Sequence, residues 1–473
     1  MNVQPHTLES NSSAIPSRLA ILALASVLFP RVLAAAGVPS VVNFAHFPLV
    51  AVCALVILPG CRDRMALELF AALACFAACI AASAITNGAG FINTFLDVLI
   101  LTEPFLLLVL MVYVPWPPAA ITQFRWTLWI FIAIHIVAAH YQRWILGCEV
   151  DDVKGLFLNS GGGHHVGAAI TLSAAVYYSI EWPGRPLWQR AVFAAAAGAA
   201  VVFADGKQAL AVFLASLCIL ALFRGPNLRL AARYLLAAGL VILLLMIAAY
   251  TVFPALRTWA EVDVVVVGIT HKTTVFSMIT ERYESVWNWL FGLGPGHTIG
   301  RLGWLMPEYV EHLKPLGATM SPLTEAILNV NETHWISRAS TGSSMWALLF
   351  SWAGIFGDLG LVGVAAYALL WVWVLAKTCC NDLSRFFALN AILLGCVYAW
   401  LEEPAYMLVN IALIALAFQE HHRRPAQQTD VIPPYARVKR NGMTRVPPFT
   451  PCIQGGHDYA GSQHPQPLPD PWR

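Results

Sequence analysis

The chain is 473 residues long, 58% hydrophobic and 11% charged, with a net charge of +2. Soluble domains carry roughly 25% charged residues, so a cytosolic enzyme, a disordered scaffold and a nucleic-acid binder are excluded. What remains is an all-α integral membrane protein that crosses its bilayer many times.

Twelve apolar runs follow in chain order, at 19–36, 41–59, 65–86, 95–114, 126–146, 166–180, 188–204, 208–223, 234–253, 359–376, 386–401 and 404–419. A spanning helix needs about 20 residues, so the sixth and eighth runs draw on flanking polar residues. Thirteen cations fall at the even loops and chain ends: Arg18, Arg62, Arg64, Arg125, Arg185, Arg190, Arg224, Arg229, Arg233, Lys377, Arg385, Arg423 and Arg424. The opposite short loops and helix ends carry four: Arg31, Arg143, Lys154 and Lys207. Positive residues stay inside, so both termini are expected in the cytoplasm and residues 254–343 outside. Ala34-Ala35-Ala36 resembles a signal-cleavage site, but losing the first run would invert this bias, so the helix is read as retained.

The expected organisation is a cytoplasmic N-terminus (1–18), helices 1–9 (19–253), a large outer segment (254–343), the last three helices (344–419) and a Pro-rich disordered tail (420–473). The ten cysteines lie within spans or on the cytoplasmic side, with Cys148 alone near the outer face, so no disulfide framework is expected.

Long connections are usually functional, and 254–343 is about ninety residues in a chain of short loops. It holds His271, His297, His312 and His334, the cations Arg257, Lys272, Arg282, Arg301, Lys314 and Arg338, and five tryptophans including Trp287, Trp289 and Trp335. Cations hold phosphate, and an indole face stacks on a sugar or seats among lipid headgroups. Composition alone leaves an outer catalytic domain and an interfacial cap both standing. Two shorter outer loops join it: 155–167, reading GLFLNSGGGHHVG with Asn159, His164 and His165, and the hairpin Asp205-Gly206-Lys207.

Several patterns carry less than their shape suggests. His164 and His165 point about 100° apart on a helix and have no zinc-like spacing around them. Gly292-Leu293-Gly294-Pro295-Gly296 lacks the preceding strand of a dinucleotide fingerprint. Asn331-Glu332-Thr333 fits a glycosylation sequon, a tripeptide common by chance. Within the spans, Asp97, Glu103, His135 and His140 are the ionisable residues of note, since intramembrane acids mark proton or substrate paths. Glu402-Glu403-Pro404 makes a tight outer turn whose acids are placed to face the long segment's cations.

The order of these features resembles the O-antigen ligase / O-antigen polymerase family of bacterial envelope polysaccharide assembly. Four segments carry the likeness: FLNSGGGHHVGAAI (157–170), FADGKQALAVF (203–213), ERYESVWNWLFGLGPG (281–296) and SSMWALLFSWAGIFGDLGLVG (343–363). The resemblance implies a glycosyltransferase of the bacterial inner membrane that needs no metal or cofactor. Its substrate is a glycan carried on undecaprenyl diphosphate, and a flippase and a chain-length regulator are pathway partners. It also implies roles: Lys207, Arg282 and Arg338 on the diphosphate, Arg282 and His334 in catalysis, and Asn159, His164, His165, His297 and Trp335 on the substrate. The sequence departs from the family twice. Lys207 stands where arginine is usual, and His334 lies about twenty residues before Gly354, where the ligases' histidine is closer. The polymerase is therefore favoured over the ligase. A flippase or secondary carrier, which Glu103-Pro104 keeps in view, and a non-catalytic scaffold are the rivals from other classes.

Overall fold

Backbone N–H and C=O groups removed from water must pair with each other, and within a single segment only a helix achieves this. The computed structural model describes residues 14–57, 64–113, 116–150, 152–158, 162–182, 184–224, 227–251, 262–337 and 347–430. Every regular element among the described residues is helical. The chain divides into two units, Met1–Arg423 and Arg424–Arg473; the second is described only to Asp430, and the account below concerns the first.

The first part of the chain gives α1 (Ala14–Ala35), a 3-10 turn (Ser40–Phe44), α2 (His46–Ile57), α3 (Arg64–Asn87), α4 (Phe91–Tyr113) and α5 (Pro118–Trp144). Then come α6 (Gly163–Glu181), α7 (Leu187–Phe203), α8 (Lys207–Phe223) and α9 (Leu228–Thr251). The long segment holds α10 (Val262–Thr280), the short α11 (Val286–Phe291), α12 (Arg301–Leu313) and α13 (Pro322–Ser337). The chain closes with α14 (Ser351–Lys377), α15 (Asp382–Leu394) and α16 (Pro404–Asp430).

Five helices among the described residues are long and apolar enough to cross a membrane: Pro16–Ala35 within α1, α3, α4, α5 and α14. The stretches Ser40–Val56, Leu187–Phe203 and Lys207–Phe223 are apolar but shorter. Two runs end differently from the expectation. The run at 41–59 opens as the 3-10 turn, and the run at 386–401 leaves the helix at Leu394. The second break has a clear cause. Pro404 disfavours helix in the residue before it, and the backbone of 395–403 pairs elsewhere. Ser351 N–H donates to Tyr398 O at 3.0 Å, Trp352 N–H to Gly395 O at 3.2 Å, and Leu401 N–H to Ser351 Oγ at 3.0 Å.

The core sits around α16. Ala405–Val409 and Ile411–Ala415 are 0% exposed on every side, as expected of a helix that is apolar all round. The helix continues past Gln419 to Asp430; the rest of the Pro-rich stretch, like Arg338 and Asn159, lies outside the described residues. Neighbouring helices meet through small side chains: Ala168 of α6 packs with Val201 and Ala204 at the end of α7. The eight cysteines among the described residues are all free thiols.

Candidate functional site

The glycine run of the long segment is a docking surface for α14. Leu293 N–H donates to Gly357 O at 2.8 Å and Gly294 N–H to Asp358 O at 3.1 Å, so the two backbones lie side by side. A Cβ on Gly292 would stand 2.4 Å from Asp358 C, one on Gly360 2.6 Å from Leu290 O, and one on Gly354 2.6 Å from Gly300 Cα. Helix α14 breaks at this contact, with Gly360 at φ 65°, ψ −164°. Gly292, Gly354 and Gly360 are therefore explained by this contact: each removes a side chain that the facing backbone would strike.

Asp358, freed at the break, caps the turn. Its Oδ2 accepts from Gly296 N–H at 2.9 Å, and its Oδ1 from Thr298 N–H at 2.8 Å and Thr298 Oγ at 2.6 Å. Asn93 of α4 holds the other side, donating to Pro295 O at 3.0 Å and Thr319 O at 2.9 Å while accepting from Thr319 N–H at 2.9 Å. His297 donates from Nδ1 to Leu293 O at 2.9 Å and accepts at Nε2 from Thr319 Oγ1 at 2.8 Å. Burial lowers its basicity. The fold gives His297 a bracing role in this loop.

Beyond the turn the charges converge. Arg301, at the start of α12, pairs with Glu403, and Arg31 of α1 donates to the same carboxylate at 2.9 Å. Arg301 N–H also donates to Glu402 Oε2. The acids of the 402–404 turn thus do face a cation of the long segment, and Arg31, 372 positions away in sequence, shares them. Glu402 is 3% exposed, and burial pushes its carboxyl up to about 8. Asp97, also 3% exposed, lies within electrostatic range of Asp358 and Glu402, and its Oδ2 meets no hydrogen-bond partner among the described residues.

A second group gathers at the start of α6. The rings of His164 and His165 are 3.9 Å apart, His165 lies 5.0 Å from Tyr398, and Tyr398 lies 4.8 Å from Trp400. His165 is 2% exposed, and neither ring nitrogen has a hydrogen-bond partner among the described residues. It lies within electrostatic range of Lys207 and Lys272. Lys207 pairs with Asp205 at 2.7 Å, and Asp205 takes a left-handed turn at φ 47° to make the hairpin. Lys272 of α10 spans to Ala347 O at 2.6 Å and Val397 O at 3.1 Å, with its Nζ 5.9 Å from the centre of the Tyr398 ring. The connection 395–403 joins the groups, turning Tyr398 and Trp400 to the histidines and Glu402 and Glu403 to the arginines.

Of the residues singled out in the sequence, the fold brings His164, His165 and Lys207 together and seats His297 in the docked turn. Arg282 is exposed at the turn after α10, its N–H donating to Ile279 O at 3.0 Å, and among the described residues no bond links it to either group. His334 and Trp335 belong to α13, but their side chains lie outside the described residues, as do Arg338 and Asn159 entirely. Three of the four ionisable residues of the apolar runs have specific partners, Asp97 being the exception among the described residues. His46 Nδ1 and Glu103 Oε1 are 2.8 Å apart, and Leu156 N–H donates to His135 Nδ1 at 3.2 Å. His140 Nδ1 lies 2.9 Å from Ile136 O within its own helix. Sequence reasoning placed Arg31 at an outer helix end without giving it a partner, and passed over Asp358 and Tyr398. Asp358 had a signal, being the lone acid of the apolar stretch 343–363.

Comparison of the chain with family models, with curated proteins and with solved structures finds no match.

Proposed function

We propose that the chain is a polymerase-like glycosyltransferase of the bacterial inner membrane, joining oligosaccharide units carried on undecaprenyl diphosphate at the outer face. One observation carries this reading: segment 203–213 touches 157–170, segment 281–296 touches 343–363, and both 157–170 and 343–363 touch the connection 395–403. His165 stacks against Tyr398. Gly206 abuts Ala168, where an added Cβ would be 2.8 Å away. The glycine turn lies on the break in α14, and Ser351 and Trp352 hold 395–403 in place. A diphosphate leaving group needs fixed cations, and Lys207, with Arg282 and Arg338 from the long segment, is the set this reading assigns. The acceptor hydroxyl needs a base working near neutral pH, for which His334 is the candidate from sequence.

In this reading both termini are cytoplasmic, the long segment is outside, and the pathway's flippase and chain-length regulator are partners. A reporter fused after Thr273 should therefore report an extracytoplasmic position; a cytoplasmic signal overturns the topology. In a deletion strain, lipid-linked single repeat units or short surface glycans should accumulate, and normal long polymer would rule the reading out. Arg282→Ala and His334→Ala should each lower polymer formation by about 10²–10³-fold at unchanged protein level. Full activity in both variants removes the assigned catalytic pair.

A carrier is the second reading, favoured by the buried Asp97 beside Glu402 and Asp358. It requires substrate flux across the membrane without change in glycan length, which the deletion strain's lipid-linked pool distinguishes.

A further inference from the structure

Acids outnumber cations where the glycine turn docks. Arg31 and Arg301 share Glu403. Asp358 uses both its oxygens on three donors, Gly296 N–H, Thr298 N–H and Thr298 Oγ, a shell that suits a carboxylate. These two acids match the two guanidiniums. Asp97 and Glu402 are left over, both 3% exposed and within electrostatic range of Asp358 and of each other. The turn itself presses on two of the acids: a Cβ on Gly300 would stand 2.8 Å from Glu402 Oε2 and 3.5 Å from Asp358 Oδ2. Asp97 Oδ2 and Glu402 Oε1 are enclosed and meet no hydrogen-bond partner among the described residues. Ser351, the hydroxyl beside Glu402, already accepts from Leu401 N–H and donates to Tyr398 O at 3.3 Å.

The other charged groups on the elements packed here are engaged elsewhere or face outward. Glu103 of α4 pairs with His46, and Glu68 of α3 with Arg64 and Lys377. On α15, Asp382 pairs with Arg385 and Arg224. Glu308, Glu311 and His312 of α12 are exposed. Lys272 of α10 reaches Val397 O, at the other end of 395–403. Tyr367 and Tyr283 are near the acids, but their hydroxyls go to Leu401 O and Phe356 O. His297 spends both ring nitrogens inside the turn. Among the described residues, no group of three or more His, Cys, Asp or Glu side chains could hold a metal ion. Two unmatched negative charges inside a protein are costly, and such groups neutralise instead.

We infer that this junction is a proton-binding site, in which Asp97 and Glu402 carry two protons that keep the long segment docked on α14 and 395–403. Losing them places two unmatched charges beside Asp358 and releases the turn 292–301. The inference is independent of the polymerase reading, since it rests on the charges and packing of the junction alone. Burial agrees with it, pushing the Glu402 carboxyl up to about 8. Carboxyls of an unfolded chain ionise near about 4. The folded form therefore holds protons that the unfolded form has released, and stability falls as pH rises from about 4 through about 8.

Infrared spectroscopy of the full-length protein in detergent tests the protons directly. At about pH 6 the wild type should show protonated-carboxyl C=O absorption that disappears by about pH 9. Asp97→Asn and Glu402→Gln should each remove part of it. An amide copies the shape and charge of a protonated acid, so both variants should keep the wild-type melting temperature at about pH 6. At about pH 9 the wild type should be cut by protease within residues 292–320, and the double variant should stay protected. Absence of the absorption at the lower pH, or absorption that neither variant changes, overturns the proposal. So does a large drop in melting temperature in either variant, because a charged carboxylate is then required. A melting temperature raised by sodium chloride over choline chloride at equal ionic strength also overturns it, since a metal cation and not protons then fills the site.

Discussion

Gly360→Ala should destabilise the protein by about 2–6 kcal/mol. The residue holds φ 65°, ψ −164°, a region open essentially to glycine alone, and its Cβ would stand 2.6 Å from Gly292 N and Leu290 O. Backbone strain contributes about 1–3 kcal/mol, and overpacking adds about 1–3 kcal/mol. Both fall on a total stability that is typically about 5–15 kcal/mol. Gly292→Ala meets the same obstacle from the other side, at φ 71°, ψ −154°. The informative control is Gly198→Ala in α7, where a Cβ meets nothing within 4 Å. There alanine should be neutral or stabilising by up to about 1 kcal/mol. Denaturation of the detergent-solubilised variants provides the comparison. If Gly360→Ala unfolds where Gly198→Ala does, the glycine turn is not docked on the break of α14.

This contact also marks how far the sequence could be read. The glycine run and the Gly-Asp-Leu-Gly stretch each stood out, and the run follows the helix Val286–Phe291 where a dinucleotide fingerprint follows a strand. That the two motifs are halves of one contact was not legible, because packing between residues 60 or more apart leaves no periodicity. The helices Arg64–Asn87, Phe91–Tyr113 and Pro118–Trp144 were legible, because uninterrupted apolar length is a local property. The end of α15 at Leu394 was not, because 395–403 is held out of the helix by hydrogen bonds to Ser351 and Trp352. Among the charges, the turn at Glu402-Glu403 announced itself through Pro404, and a cation of the long segment does meet it. Arg31 had been assigned to an outer helix end by the charge bias alone, and nothing in its neighbours pointed to Glu403. Lys272 was visible as one cation among six; only the two carbonyls that hold it set it apart.

Some of the few charges in this chain are gathered inside it rather than on its surface. Arg31 and Glu403 are nearly or wholly enclosed, at 7% and 0% exposed, while Arg301 is partly open. Their arrangement ties three distant parts of the chain: α1, the start of α12 and the turn before α16. Two guanidinium groups share one carboxylate directly, with Glu402 accepting the Arg301 backbone N–H beside them. Such a group is held together by mutual satisfaction more than by net attraction, since each ion lost its water on burial.

Glu403→Gln should therefore cost about 3–5 kcal/mol, the usual penalty for leaving a buried ionic partner unmatched. The amide keeps the shape and one acceptor oxygen but removes the charge that Arg31 and Arg301 share. Arg31→Met in the same protein should recover part of the loss, because it removes the more deeply buried of the two stranded cations; its ring contact with Phe157, 5.1 Å from the guanidinium, is then lost as well. A double-mutant cycle on unfolding free energy measures this coupling, which for contacting ions is about 0.5–3 kcal/mol. The position of the long segment supplies a second measure. Because Arg301 begins α12 directly after the glycine turn, Glu403→Gln should increase protease cleavage within residues 292–320, and Arg64→Gln, at an exposed i,i+4 pair with Glu68, should not. Additive losses in the cycle together with unchanged cleavage would mean that Glu403 does not join α1 to the docked segment.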